Sequence, residues 1–566
     1  MAEDKVKENN EEQVEKGTSN TETAAEKLSE ESFTAMSRSS ASAAPESQNS
    51  TSQSKELVFT DPFKQSSATG DGPRLPAECA KSEAENDGFK RPENQEMSKE
   101  AAARMESVKK LSSWINDNFK FLDADKDGTL TEAETGAAIG DASKANGVNA
   151  PYLNALHNTI GTLSSELEGE NSKGLTQKGL DALSNLADDK EFFRKSDRAL
   201  QVRHLDDVRS FLDENRNGQV THEETQNMLK RDDLTPQQKQ ALQDLKAYQD
   251  YRINKDYPNV QKDEKGNEMI LRDFGGALGY TPREQMGNLS SYDIATYAST
   301  LERTADTIDY AMRHASDRLE AANKDPGRIS QGTDGSCFFL APLAGMKGHD
   351  PAVMDKMIKD NGDGTQTVTF PGDPTNPITV KTPTDTEMSG WANGKQAAIM
   401  EKAFSDYYVK NLASKVELSD SSLEQLKSPV PSARIQGGNT ADAIRLLTGK
   451  DAETHTLSEK SDDELRALLQ DAESKKKAIA ADTAYQRIDP GLVMQHSYTA
   501  RYDKATDSVV LENPVKPGRP NENTSRYPYE PFNPNGSAKD GKDDGIFRMS
   551  LADFKKNFNK INFVKD

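Results

Sequence analysis

The sequence predicts an α+β protein in which a disordered acidic tail precedes an all-α region, with a mixed helix-and-strand region after them. Three observations predict it. Residues 1–100 are rich in Glu, Ser, Thr, Ala, Asn and Gln with almost no periodic apolar positions apart from Leu57-Val58-Phe59. From 101 to 235 apolar residues recur at helical spacing around an acidic loop that appears at 123 and again at 213. Period-two alternation begins only after the helix breaker Asp325-Pro326-Gly327.

Composition bounds the function. A net charge of −22 with 33% hydrophobic residues argues against nucleic-acid binding, which needs a basic patch, and favours solubility or association with cations. No apolar run reaches the length of a membrane span, and Met1-Ala2-Glu3-Asp4-Lys5 lacks the apolar core of a signal peptide, so a cytoplasmic location is expected. The two cysteines, Cys79 and Cys337, are too few for a disulfide framework and read as free thiols.

Within 101–235, Val108, Leu111, Trp114, Ile115, Phe119 and Leu122 make one helical face, which runs straight into Asp123-Ala124-Asp125-Lys126-Asp127-Gly128-Thr129-Leu130-Thr131-Glu132-Ala133-Glu134. This string has the form of an EF-hand calcium loop. Asp123, Asp125, Asp127, Thr129 and Glu134 supply oxygen ligands, Gly128 the sharp turn, and Leu130 the apolar eighth position. After Phe211-Leu212 the same form returns, with Asp213, Asn215, Asn217, Gln219 and Glu224 as ligands and Gly218 at the turn. Loop one offers four carboxylates and loop two only Asp213 and Glu224, so ligand charge favours calcium at loop one. Midway, Glu168 opens a degenerate third copy in which Leu175-Thr176 match Leu130-Thr131, but Lys173 replaces the turn glycine and Gly179 the closing carboxylate. It is expected to pair with a neighbouring loop and to hold no calcium. Residues 236–327 read as a helical linker, with Ile294, Tyr297, Leu301, Ile308, Met312 and Leu319 on one face.

The last region, 328–566, combines a helix after Cys337 with strands such as Thr365-Gln366-Thr367-Val368 and Ser508-Val509-Val510-Leu511. Asn361 to Gly364 read as a hairpin turn rather than a further calcium loop, His349 as a surface residue, and Trp391 as core. Cys337 follows a glycine-flanked turn at the start of an apolar helix, where unpaired N–H groups and the helix dipole favour a thiolate. Gln331, six residues earlier, has a side-chain amide able to serve as an oxyanion donor. A thiol nucleophile needs a base and a group to orient that base. His496, at the edge of a short apolar run, is the candidate base. Asn513 is its candidate orienter, brought alongside by a hairpin turning at Asp503-Lys504-Ala505-Thr506, with Asn533 as a competitor. The chain order Cys, His, Asn is that of papain-type peptidases.

The region resembles the protease core of the calpain family. The resemblance is carried by residues 331–341, by Lys359-Asp360-Asn361-Gly362-Asp363-Gly364-Thr365, and by Trp391 with Glu401-Lys402-Ala403-Phe404. It continues in Gly437-Gly438 with Leu446-Leu447-Thr448-Gly449, in His496-Ser497-Tyr498 with Asn513-Pro514, and in 543–554. It implies a papain-like two-lobed core, one lobe helical and one β-rich. It also implies Cys337 as nucleophile, His496 as general base and acid, Asn513 as orienter, Gln331 as oxyanion donor, and protein or peptide substrates. The departures are Ser336 and Phe338 beside the cysteine, and Val515 where that family carries a tryptophan that shields the His–Asn bond. With the calcium loops ahead of the core, the expected function is a calcium-responsive cysteine endopeptidase. The alternatives are a calcium sensor or buffer with an inactive protease-like domain, and acyl transfer to an amine by the same thiol chemistry.

Overall fold

Val108, Leu111, Ile115, Phe119 and Leu122 are all buried along the 24-residue helix α1 (Lys99–Leu122), so the face predicted from spacing is the one turned inward. The computed structural model describes residues 81–566 except 259, 274–277, 332–334, 392, 412–425, 429, 436, 485–487, 516–529, 536 and 543. Leu57-Val58-Phe59, Cys79 and residues 332–334 of the cysteine segment therefore lie outside the described residues, as does the side chain of Trp391.

The tail was expected to reach residue 100, yet residues 81–98 carry structure. Ser82 and Glu85 close a reciprocal capping box on the short helix Glu83–Asn86. Phe89 packs against Tyr248, Tyr251 and Tyr297, and Arg91 forms a buried ion pair with Glu302 at 2.8 Å. Composition hid this boundary because a few anchors in a polar stretch are enough to tie it to a core made elsewhere.

The loop region is built in pairs. Loop one ends in strand β1 (Thr129–Leu130) and helix α2 (Glu132–Ile139), and helix α3 (Ala150–Glu168) enters the degenerate loop, which ends in β2 (Leu175–Thr176) and α4 (Gln177–Asp188). Strands β1 and β2 pair antiparallel, Leu130 opposite Leu175. Helix α5 (Lys190–Arg203) leads to loop two, with β3 (Gln219–Val220) and α6 (His222–Leu229). Its partner was not foreseen. After α7 (Pro236–Asp256) comes a three-stranded antiparallel sheet, β4 (Val260–Lys262), β5 (Glu268–Asp273) and β6 (Leu278–Pro282). Then β7 (Leu289–Ser290) pairs with β3 in the same register as β1 with β2, Val220 opposite Leu289, before α8 (Ser291–Ala295) and α9 (Thr300–Lys324). The stretch 236–327 is thus not a purely helical linker, and the loop region is not purely helical.

The C-terminal region forms two cores. In the first, helix α10 (Cys337–His349) packs beside a three-stranded sheet of β8 (Ile358–Asp360), β9 (Thr365–Val368) and β10 (Ile378–Lys381). Helices α12 (Lys395–Asn411) and α13 (Thr440–Thr448) complete it, while α11 (Asp385–Trp391) turns Met388 into the core of the loop-one region. Phe339 stacks on Phe404 at 4.1 Å, and Gly438 is required because a Cβ there would lie 2.5 Å from the Phe338 ring. The turn between β8 and β9 is the hairpin at Asn361 to Gly364, with Gly362 and Gly364 at φ of 78° and 84°.

The second core lies on a six-stranded sheet in the order β11-β16-β12-β13-β14-β15, antiparallel throughout. Its strands are β11 (Ala452–Thr456), β12 (Ile479–Thr483), β13 (Ser497–Asp503), β14 (Ser508–Glu512), β15 (Ile546–Ser550) and β16 (Phe558–Val564), with helices α14 (Asp462–Ser474) and α15 (Leu551–Asn557). Tyr498, Phe554, Ile561 and Leu511 are fully buried in it, each contributing about 1.5–3 kcal/mol by burial. No helix among the described residues is long and apolar enough to cross a membrane.

Candidate active site

The two C-terminal cores meet where α10 packs on β13. The Thr499 hydroxyl donates to the Ala341 carbonyl at 2.7 Å, and the Gln331 N–H donates to the Pro514 carbonyl at 2.7 Å. Cys337 is the first residue of α10 and is 8% exposed. Its sulfur is reached by the Ser497 backbone N–H, so the cysteine lies beside the residue that follows His496.

His496 sits just ahead of β13, held by Thr483 at the end of β12. The His496 N–H donates to Thr483 Oγ1 at 3.0 Å and the Thr483 N–H donates to the His496 carbonyl at 2.9 Å. Its Nε2 is 2.8 Å from Asn513 Oδ1. That oxygen also accepts the Val515 N–H at 3.0 Å, and since a backbone N–H only donates, the amide orientation is fixed. Nε2 must then carry the proton, which leaves the lone pair of the neutral imidazole on Nδ1. Asn533 is not in competition, because its side-chain amide bonds Ser537 Oγ at 3.1 Å within its own turn.

Val515 was expected to leave the His–Asn bond open to water. His496 is nonetheless only 6% exposed and Asn513 0%. The Tyr498 ring stands edge-on to the imidazole at 5.0 Å, and its hydroxyl accepts from Asn513 Nδ2 at 3.4 Å, so a strand residue seals what the absent indole does not. Burial holds His496 down to about 4 against the Asn513 hydrogen bond. Burial also pushes the Cys337 thiol up, helped by the negative charge of Asp482 and opposed by Ser497. Both groups are neutral at neutral pH. Gln331 is buried near Pro514, and Ser336 spends its hydroxyl on Glu401, which Asn393 also bonds at 2.9 Å. His349, expected at the surface, is half-buried at the end of α10.

The acidic loops share one internal geometry. Gly128 and Gly218 both adopt φ of 84°, following Lys126 and Arg216 at 62° and 54°. In loop one the Asp123 carboxylate accepts the Gly128 N–H at 3.1 Å, Asp125 accepts Asp127 N–H at 3.1 Å, and Asp127 accepts Thr129 N–H at 2.7 Å. Glu134 accepts the Thr131 N–H and hydroxyl, each at 2.9 Å. Burial raises the Glu134 carboxyl, but these bonds and those from Ala124 and Asp125 outweigh it and hold it below its ordinary range. Loop two repeats the set, Asp213 accepting from Gly218, Asn215 from Asn217, Asn217 from Gln219, and Glu224 from Thr221.

A hard divalent cation fits loop one. Oxygens of Asp123, Asp125 and Glu134 lie within 4.8 Å of one another, and buried Asp123 Oδ1 has no hydrogen-bond partner. The degenerate loop is closed from within. Glu168, at its opening, accepts the Thr176 N–H at 2.5 Å and the Thr176 hydroxyl at 2.9 Å, the same two donors that the closing glutamates take in the other loops. Gly179 is what admits it, since a Cβ there would lie 2.1 Å from Glu168 Oε1. The partner of loop two, β7, carries the matching capping box of Ser290 and Asp293. Its signal, Leu289-Ser290 followed by Asp293, was present in the sequence but stood 69 residues after Val220 instead of 45, displaced by β4–β6.

A comparison with curated proteins finds no match. Residues 431–565, which hold His496 and Asn513 but not Cys337 or Gln331, match the family described as calpain family cysteine protease, and this part of the chain is similar to that family's protease domain.

Proposed function

We propose that the protein is a calcium-responsive cysteine endopeptidase acting on protein or peptide substrates. The observation that carries the reading is the buried 2.8 Å bond from His496 Nε2 to Asn513 Oδ1, which leaves the other ring nitrogen free to act as base beside the strand that faces Cys337. In this mechanism His496 Nδ1 takes the Cys337 proton as sulfur attacks the peptide carbonyl carbon. The oxyanion is met by the Cys337 N–H and the Gln331 amide, each such donor being worth about 3 kcal/mol. Collapse breaks the C–N bond and His496 returns its proton to the leaving amine. Water, deprotonated by His496, then attacks the thioester and releases the acid and the thiol.

Calcium would be held by Asp123, Asp125, Asp127, the Thr129 carbonyl and Glu134, and at loop two by Asp213, Asn215, Asn217, the Gln219 carbonyl and Glu224. The bound ion supplies a fixed positive charge that these oxygens would otherwise lack. The regulatory half of the reading is supported by where the loops rest. Segments after loop one bond the start of α11, which leads into α12 of the first core, the Thr384 hydroxyl donating to the Ile139 carbonyl and the Thr386 hydroxyl to the Ala145 carbonyl, both at 2.7 Å. Loop two touches the connecting segments of the second core, one of which sends Phe532 into the loop-two region's own core. Arg216 bonds the Ile488 carbonyl at 3.3 Å, Phe211 meets Phe532 at 5.2 Å, and Gln238 bonds the Pro534 carbonyl at 2.9 Å. A calcium sensor with an inactive core is the second reading, favoured by a thiol and imidazole both held neutral.

Labelling with a thiol-directed epoxide probe, with and without calcium, tests both. The first reading expects calcium-dependent labelling that Cys337→Ala abolishes and that His496→Ala and Glu134→Gln weaken by at least about tenfold. Intact calcium binding with no labelling under any condition would leave the sensor.

A further inference from the structure

Next to Ser497, and close enough to Cys337 for its charge to act on the thiol, lies an acid that the mechanism above does not use. Asp482 is half-buried on β12, directly opposite Ser497 in the β12–β13 register. Its Oδ1 accepts the Ser497 hydroxyl at 2.6 Å and the Thr440 hydroxyl at 2.9 Å, and its Oδ2 accepts Asn562 Nδ2 at 2.8 Å. Thr440 opens α13 of the first core, whereas Ser497 and Asn562 belong to strands of the second. One carboxylate therefore ties the two cores together at the residue next to the candidate base.

We propose that Asp482 is a positioning residue of the site, which fixes Ser497 between the two cores and restrains Cys337 from ionising. The role rests on the reading of Cys337 as the nucleophile. It works in two ways. A carboxylate near the thiol disfavours a second negative charge on sulfur. A hydroxyl also has a single proton, and while Ser497 gives it to Asp482 it cannot give it to the Cys337 sulfur, which its side chain also reaches. The ionisable groups facing the pair are Tyr498 from β13, beside Cys337, and Lys560 from β16, beside Asp482, while α13 contributes the neutral Thr440. Burial pushes the Asp482 carboxyl up, and the bonds from Ser497, Thr440 and Asn562, with Lys560, pull it back. The site is thus built to hold a neutral thiol until His496 takes its proton, rather than a standing thiolate.

The test is the pH dependence of iodoacetamide alkylation at Cys337, in the full chain with Cys79→Ser and at fixed calcium. Asp482→Asn keeps the shape and a hydrogen-bonding group while removing the charge, and is expected to shift the alkylation midpoint down by about one pH unit. Ser497→Ala removes a donor available to sulfur and is expected to leave the midpoint in place or raise it. Loosened packing would instead move both variants in the same direction. A folded Asp482→Asn protein whose profile overlays the parent, or a Ser497→Ala shift equal to that of Asp482→Asn, overturns the proposal. Peptide hydrolysis measured in parallel separates the two ideas. The expected midpoint shift in a protein that cleaves nothing upholds the role of Asp482 and removes the peptidase reading alone.

Discussion

His496 is the residue on which burial acts most plainly. It is held neutral at a folded-state pKa of about 4, whereas an unfolded histidine titrates near 6.5. Between those values the unfolded chain binds the extra proton, so stability is fully present above pH 6.5 and is lost as pH falls through about 4. The contribution at stake is on the order of 3 kcal/mol for so buried a group. Urea unfolding at pH 7 and pH 4.5 should show this loss in the parent and a smaller one in His496→Gln, and equal losses would contradict it. Cys337, His496 and Asn513 were legible in the sequence because each sits at a local signal, a helix start, an apolar edge and the end of a strand. Asp482 was not. Its position inside β12 looks like an ordinary strand residue, and its contacts depend on a register and a facing helix that no local pattern encodes.

At the scale of elements, paired loops organise the first half of the described chain. Glu168 ends α3, where a negative charge opposes the helix dipole at a cost of about 0.3–1 kcal/mol. Its two bonds to Thr176 are charge-assisted and worth about 1.5–3 kcal/mol each, so the closure wins. Glu168→Ala should therefore lower the urea midpoint and weaken calcium binding at loop one by calorimetry. A variant as stable as the parent would show that the closure contributes nothing. The 45-residue spacing made the degenerate loop visible, and its pairing with loop one follows from Leu130 opposite Leu175. The partner of loop two escaped because its entering half is separated from β7 by a three-stranded sheet, which breaks the spacing while leaving the register intact.

At the scale of the whole molecule, the acidic loops lie against segments of the two cores that frame Cys337 and His496, not at the end of a spacer. From loop two a chain of contacts runs inward. Phe211 meets Phe532, the neighbouring Glu530 accepts the Asp544 N–H at 3.0 Å, and the Gly545 carbonyl accepts the Asn513 N–H at 2.8 Å. Burial and the charge of Asp540 push the Glu530 carboxyl up to about 8, placing a titratable group in that chain. Sequence reading separated the calcium loops from the protease-like region by a linker, because contacts between residues 200 or more apart leave no periodic trace. The self-closed loop at Glu168 bears on how such a protein would sense its ion. Each acidic loop pairs with a strand that is already in place, β2 locked by Glu168 and β7 by Asp293, so an ion at one loop would not wait for a second ion to build its partner. Calcium titration followed by probe labelling should rise hyperbolically, with a Hill coefficient of about 1, and a steep sigmoid would rule this out. The chain would read calcium as a dimmer reads a dial, in proportion across its range, and not as a latch that trips at a threshold.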